Sequence, residues 1–279
     1  MTGGAAWRNP MLARIALALC LSVATLAAVA DSYTFGVVPQ FEQRKLFAIW
    51  QPVLDELSRR TGHEFHFSAT LSVPEFERGL AAGSFDFVYA NPYQILRESS
   101  RQGYVPLVRD REPLRGILVV RKDSPLTSPA ELDGKALAVP SPNALGASLL
   151  LRLELEQLFR ARVQPHDVKT HTSVYLHVVN GLVPAGGGVE KTLREQAPTI
   201  RNALRILHVT HGVPSHPVAA HPRVPEAVRL QIQKAFLDMA ASKAGRALLG
   251  DIPIADAVPA SIADYRPMAG LGLGKYWMD

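Results

Sequence analysis

The chain has almost no cysteine. Its 279 residues contain one, Cys20, so no intramolecular disulfide can form. If the segment carrying Cys20 is removed, a thiol nucleophile and a thiolate metal site are excluded as well. A domain of this length can bury a core without cross-links. Basic runs are also missing. Thirty Lys and Arg against 25 Asp and Glu give a net charge of +5, but the arginines are scattered among acids. Nucleic-acid binding asks for a basic stripe interleaved with aromatics, and none is present. There is no internal repeat and no low-complexity stretch. Only residues 15–29 form a long apolar run.

That run follows Arg8 and Arg14 and ends in Ala28-Val29-Ala30. A basic start, an apolar middle and a small-x-small end describe a secretory signal peptide over residues 1–30, cleaved after Ala30. The run is short for a membrane-spanning helix. Leu19 stands where a lipoprotein site wants a small residue, so lipid anchoring at Cys20 is not expected. Loss of Arg8 and Arg14 lowers the net charge from +5 to about +3. The expected location is the periplasm.

Several catalytic patterns fail. Lys191-Thr192 could end a phosphate loop, G-x-x-x-x-G-K-[ST], but Glu190 and Ala185 stand where glycines belong. A carboxylate would then face the phosphate. No G-x-S-x-G elbow is present. His171 and Ser173 are too close in sequence for a nucleophile–base pair, and no acid is placed to orient the histidine. Asp55-Glu56 lies on the polar face of an amphipathic helix. Of nine histidines, His208, His211, His216 and His221 share one segment, and His63 and His66 form another pair. Prolines 214, 217 and 222 break any helix that would align the first group as zinc ligands, so these are read as surface and hinge histidines. No enzyme activity, metal or cofactor is expected.

What is present is an α/β rhythm. Residues 33–38 (YTFGVV), 64–69 and 85–90 read as strands. Between them, apolar residues 47, 50, 53, 54 and 57 recur at helical spacing. Ser72-Val73-Pro74-Glu75 starts a second helix. Asn91-Pro92 opens a third, which stops at Gly103. After residue 114 a second unit begins. Strands are expected at 116–121, 135–140, 168–170, 204–209 and 217–220. A helix is expected from Asn143 through Phe159. Thr172 or Ser173 should cap another, a short one lies near 189–196, and a long one spans 225–249. In such sheets, ligands sit beyond the carboxyl ends of strands, at helix N-termini. The candidate ends are Tyr89-Ala90-Asn91-Pro92-Tyr93, residues 141–147 (SPNALGA) and residues 170–173 (THTS).

With these stretches in order, the chain resembles the periplasmic substrate-binding proteins of ABC transporters for phosphate, phosphite and phosphonate. The carrying segments are LSVPEFERGLAAGSFDFVYANPYQIL, GILVVRKDSPLTSPAELDGKALAVPSPNALGASLLLR, THTSVYLHVVNGLVPAGGGVEKTL and VPSHPVAAHPRVPEAVRLQIQKAFL. The resemblance implies a two-lobed type II periplasmic-binding fold (a venus flytrap), each lobe a mixed, mostly parallel sheet flanked by helices. Residues 31–114 with 214–279 would form one lobe and 115–213 the other. It implies a monomer that hands a small oxyanion to a transporter permease, or, in some members, an input to a membrane sensor protein. Implied ligand-binding residues are Tyr89, Asn91, Tyr93, Ser141, Asn143, Gly146, His171, Thr172, Ser173 and Gly187. One departure stands out. Where the family typically reads N-S-T-S-G, this chain reads Asn143-Ala144-Leu145-Gly146-Ala147, without the hydroxyls. The glycines of residues 186–188 would allow close approach of backbone to a ligand or a neighbouring strand, or mark a tight turn.

Overall fold

Apolar alternation and cap residues place the elements. The computed structural model describes residues 31–278; the predicted signal peptide and Cys20 lie outside them. The chain begins with β1 (Ser32–Val37), α1 (Gln43–Thr61), β2 (Glu64–Ala69), α2 (Val73–Ala81), β3 (Phe87–Tyr89), α3 (Pro92–Arg101) and β4 (Val105–Asp110). Helix α1 buries the expected Trp50, Val53, Leu54 and Leu57, with Leu46 in place of the expected Phe47, and ends at Gly62 in the left-handed region. Phe47 stays largely exposed and meets Phe67 edge-on. The Ser72 hydroxyl caps α2 by accepting from the Glu75 N–H. At α3, Asn91 and Gln94 exchange both bonds of a capping box, with Pro92 at the first helical position.

The chain then crosses into β5 (Gly116–Arg121), β6 (Ala136–Val139) and a six-residue π-helical turn, Leu145–Leu150. This turn runs directly into α4 (Leu151–Phe159). Next come β7 (Gln164–Asp167), α5 (His171–Val179), β8 (Ala185–Val189), α6 (Glu190–Arg194), α7 (Pro198–Arg201) and β9 (Leu204–Val209). A return crossing leads to β10 (Pro217–Ala220), α8 (Glu226–Ala241), α9 (Lys243–Asp251), β11 (Ala257–Pro259) and α10 (Ile262–Tyr265). Short 3-10 turns finish the described chain.

Two mixed sheets result. Their orders are β11-β4-β10-β3-β1-β2 and β7-β6-β8-β5-β9. In each, the strand just after a crossing (β10 or β5) inserts beside the third strand of the sheet and runs antiparallel to it. The two crossing segments touch each other through a bridge between Leu114 and Val213. The first sheet and its helices share one large core around Phe35, Trp50, Phe87 and Phe236. The second sheet is covered on its two faces by separate clusters, one with α5 and one with α4. From Ser32 onward the chain packs as a single unit.

Four local expectations shift. The strand expected at 168–170 lies earlier, at Gln164–Asp167, because Thr170 is extended and its hydroxyl caps α5. The helix expected at 225–249 breaks at Ser242, whose hydroxyl caps α9. The helix expected from Asn143 starts in the π turn. Strand β4 was not among the expected strands; it carries Pro106 opposite Ala219 of β10 and pairs with β10 and β11.

The three-glycine stretch is a strand, not a turn. β8 is fully buried, and each glycine makes room for a different neighbour. A Cβ at 186 would meet Val174 Cγ1 at 2.6 Å. One at 187 would strike the Ala147 carbonyl, and one at 188 the Tyr175 hydroxyl. We therefore expect Gly187→Ala to cost about 3 kcal/mol in urea unfolding. Gly250→Ala, in α9 with open space around it, should be neutral or slightly stabilising. Equal effects would contradict this packing account.

Candidate functional site

Three helix starts converge where the carboxyl ends of strands from both sheets meet. Asn91 caps α3 after β3, the π turn follows β6, and Thr170 caps α5 after β7. Between them lies a chamber of about 30 Å³, lined by Val38, Gln40, Val73, Asn91, Ser141, Gly146 and His171 among others. That is room for one or two waters. Helix starts present unpaired N–H groups and a positive dipole end. Here the first bonds of the π turn run from the Ser148 and Leu149 N–H groups to the Ala144 carbonyl. The N–H groups of residues 145–147 come before them.

None of the lining residues is Asp, Glu, Lys or Arg. Its polar groups are neutral amides, one hydroxyl and two imidazoles, His171 and His216. Both rings are buried. Burial pushes the His171 pKa down to about 4. Burial, then the neighbouring His171, pushes that of His216 to about 3. His216 stacks on Tyr89 at 5.4 Å between ring centres, and its Nε2 lies 3.3 Å from Gln40 Nε2. The Nδ1 of His171 is buried without a hydrogen-bond partner.

Gln40, Val189 and His216 also border a second, larger cavity of about 350 Å³. Its walls carry Asp110, Glu112, Glu190 and Glu195 together with Arg115, Lys191 and Arg194. The Lys191 ammonium, its pKa lowered by burial, donates to the Ile252 carbonyl at 2.8 Å. Lys45 and Glu195 form an ion pair at 3.2 Å. Both contacts join the first-sheet side of the cleft to the second.

Asn91, Ser141, Gly146 and His171 thus line the chamber, and Tyr89 lines the adjoining cavity. The remaining predicted residues lie outside both linings. Tyr93 packs on Trp277. Asn143 donates to Glu77 and to the Met278 carbonyl, and accepts from the Met278 N–H at 2.9 Å. Ser173 is tied to Thr170 through both its N–H and its hydroxyl. Thr172 lies on α5 outside both cavities, and Gly187 is packed against the π turn. His216 and Gln40 were missed. His216 is a cleft residue rather than a surface or hinge one. Its position just before β10, at the return crossing, was the available signal. His208 and His211 instead converge on the buried Glu154 carboxylate. Burial opposes that charge, but the two imidazoles and the His211 N–H hold its pKa below the usual range.

Two sheets with one shared strand order, crossed twice and enclosing a chamber at helix starts, define a type II periplasmic-binding fold. The family model for the periplasmic substrate-binding protein of phosphonate ABC transporters matches residues 35–265, and the chain belongs to that family. Its fold is similar to the binding-protein component of a phosphonate ABC transporter from Pseudomonas aeruginosa. That match has a TM-score of 0.76 at 15% identity and covers 88% of this chain and 87% of the other. It is also similar to PhnD1 of Prochlorococcus marinus, solved with methylphosphonate, with a TM-score of 0.78 at 14% identity, covering 88% and 98%. Among curated proteins, the tetrathionate sensor histidine kinase TtrS of Salmonella typhimurium is 24% identical over 156 residues, 51% of this chain. The match covers only 26% of that kinase.

Two neutral buried histidines have a pH consequence. Their folded pKa values lie below the unfolded value of about 6.5, so unfolding takes up protons as pH falls between them. Stability should decline on acidification from about pH 6.5, by up to about 2 kcal/mol per histidine at about pH 5. Urea unfolding at two pH values measures this. The double variant His171→Gln, His216→Gln should flatten the dependence; an unchanged slope would assign it to other groups.

Proposed function

We propose that this chain is a periplasmic solute-binding protein that captures a small oxyanion, of the phosphate, phosphite or phosphonate type, and presents it to an ABC transporter. The observation that carries this is the chamber without a carboxylate, set at three helix starts. Backbone N–H groups, Asn91, Ser141 and His171 are suitable donors for an anionic head group. The larger cavity beside it would take a substituent. Residues 31–114 with 214–279 form one lobe in this reading, 115–213 the other, and the segments near Arg115 and Val213 the hinge. Ligand binds the closed form better and shifts the population toward it. Family membership supports a binder rather than an enzyme, acting as a monomer. The similarity to a sensor kinase supports a second reading, in which the same closure feeds a membrane signalling protein.

Thermal unfolding tests the ligand class. Phosphate, phosphite, methylphosphonate, aminoethylphosphonate, sulfate and tetrathionate are added to the purified protein. A true ligand at about 100 times its Kd stabilises by about 2.7 kcal/mol, raising Tm by several degrees. A response confined to phosphorus oxyanions supports transport of that class. A response to tetrathionate alone favours the sensor reading.

A further inference from the structure

We propose that ligand capture is coupled to proton uptake: an oxyanion entering the chamber is held as an ion pair with a His171 that becomes protonated on binding. This rests on the oxyanion reading above and adds what the site itself contributes to it.

The argument begins with charge. An anion in a closed chamber loses its hydration, and a buried unpaired charge is costly. The lining offers no Lys or Arg to offset it. The cations of the outer cavity are Arg115, Lys191 and Arg194, none of which lines the chamber; Lys191 already donates to the Ile252 carbonyl and Arg194 is paired with Glu112. Helix starts supply partial charge only. An imidazole is the one side chain in the lining that can supply a full positive charge.

Geometry selects His171 over His216. His171 is 3% exposed, opens α5 and has a buried Nδ1 with no partner. His216 faces the amide nitrogen of Gln40 through Nε2. That nitrogen is a donor, so the imidazole nitrogen opposite accepts, and a proton placed there would oppose another N–H. His216 is also stacked on Tyr89 and stands beside His171, so a second charge would repel the first.

The groups facing the pair are few. From α5 itself the neighbour is Tyr175, at 6.4 Å between ring centres. From the other elements they are Tyr89, Gln40, Asn91 and Ser141. Asp110, Glu112, Arg115, Glu190, Lys191, Arg194 and Glu195 lie on the walls of the outer cavity. Without ligand the ring is neutral. With an oxyanion in contact the charged form is favoured, and the proton comes from solvent.

The test is calorimetry with methylphosphonate at about pH 5.5, where a phosphonate is already a monoanion. Titrations in two buffers of different ionisation enthalpy give the protons taken up. Close to one proton per ligand is expected, with affinity falling up to about tenfold per pH unit on the alkaline side of the bound-state pKa. His171→Gln should retain a weaker site with uptake near zero. Proton uptake should persist in His216→Gln. Tight binding with no uptake would overturn the inference and leave the oxyanion reading standing. Uptake that survives His171→Gln would overturn the assignment to this residue. No binding of methylphosphonate, phosphate or phosphite at any pH would overturn the oxyanion reading, and the inference with it.

Discussion

The π turn at the start of α4 lies directly on the backbone of the second sheet, and the site depends on that contact. Any Cβ at Gly116 would strike the Gly146 carbonyl, and any Cβ at Gly187 that of Ala147. Two strands and one helix start therefore meet with no side chain between them. This approach sets the N–H groups of the turn against the chamber rather than a side-chain layer above it. It also fixes α4, and so Glu154, beneath His208 and His211. The hydroxyls that the family resemblance places at this helix start are replaced by Ala144, Leu145 and Gly146. Leu145 and Gly146 are buried. The turn has traded side-chain donors for packing and kept its backbone ones.

Charge is distributed to suit such a site. Ion pairs sit outside the chamber, where water screens them and their individual worth is small. Inside, the polar groups are neutral and mostly bonded to their own backbone: Asn91 with Gln94, Ser141 with the Asn143 N–H. A fixed Lys or Arg would leave an unpaired buried charge in every unliganded molecule. Neutral donors avoid that cost.

Local signals carried most of the fold. Asn91-Pro92, Ser72-x-x-Glu75 and the stripe of α1 are short-range patterns, and caps and amphipathic faces follow from a few residues. What failed depends on partners far along the chain. Strand β4 is held by β10 along its length and by β11 at its far end, partners that lie more than a hundred residues away. The Ala-rich junction at Ser242 gives no break signal, yet the Ser242 hydroxyl prefers a backbone N–H to solvent. At the site, residues at strand ends were legible, since position alone marks them. Asn143 shows the limit: its amide meets the Met278 backbone, 135 residues away, and no spacing rule connects the two.

That pairing has a mechanical meaning. The segment around residues 275–278 follows the first sheet in sequence, yet it is fastened to the helix of the second. Lys275 and the Tyr276 hydroxyl reach Glu156, and the Tyr276 carbonyl accepts from Arg152. Trp277 meanwhile stacks against Tyr93 and lies under the Arg97 guanidinium, both on α3. In the proposed two-lobed reading the crossings near Arg115 and Val213 are the hinge, and a hinge alone permits rotation about its axis. An attachment away from that axis, such as this tail, would act as a stop, alongside the Lys191–Ile252 and Lys45–Glu195 contacts. In that reading the tail must either travel with α4 or let go of it, so opening the cleft would require its release.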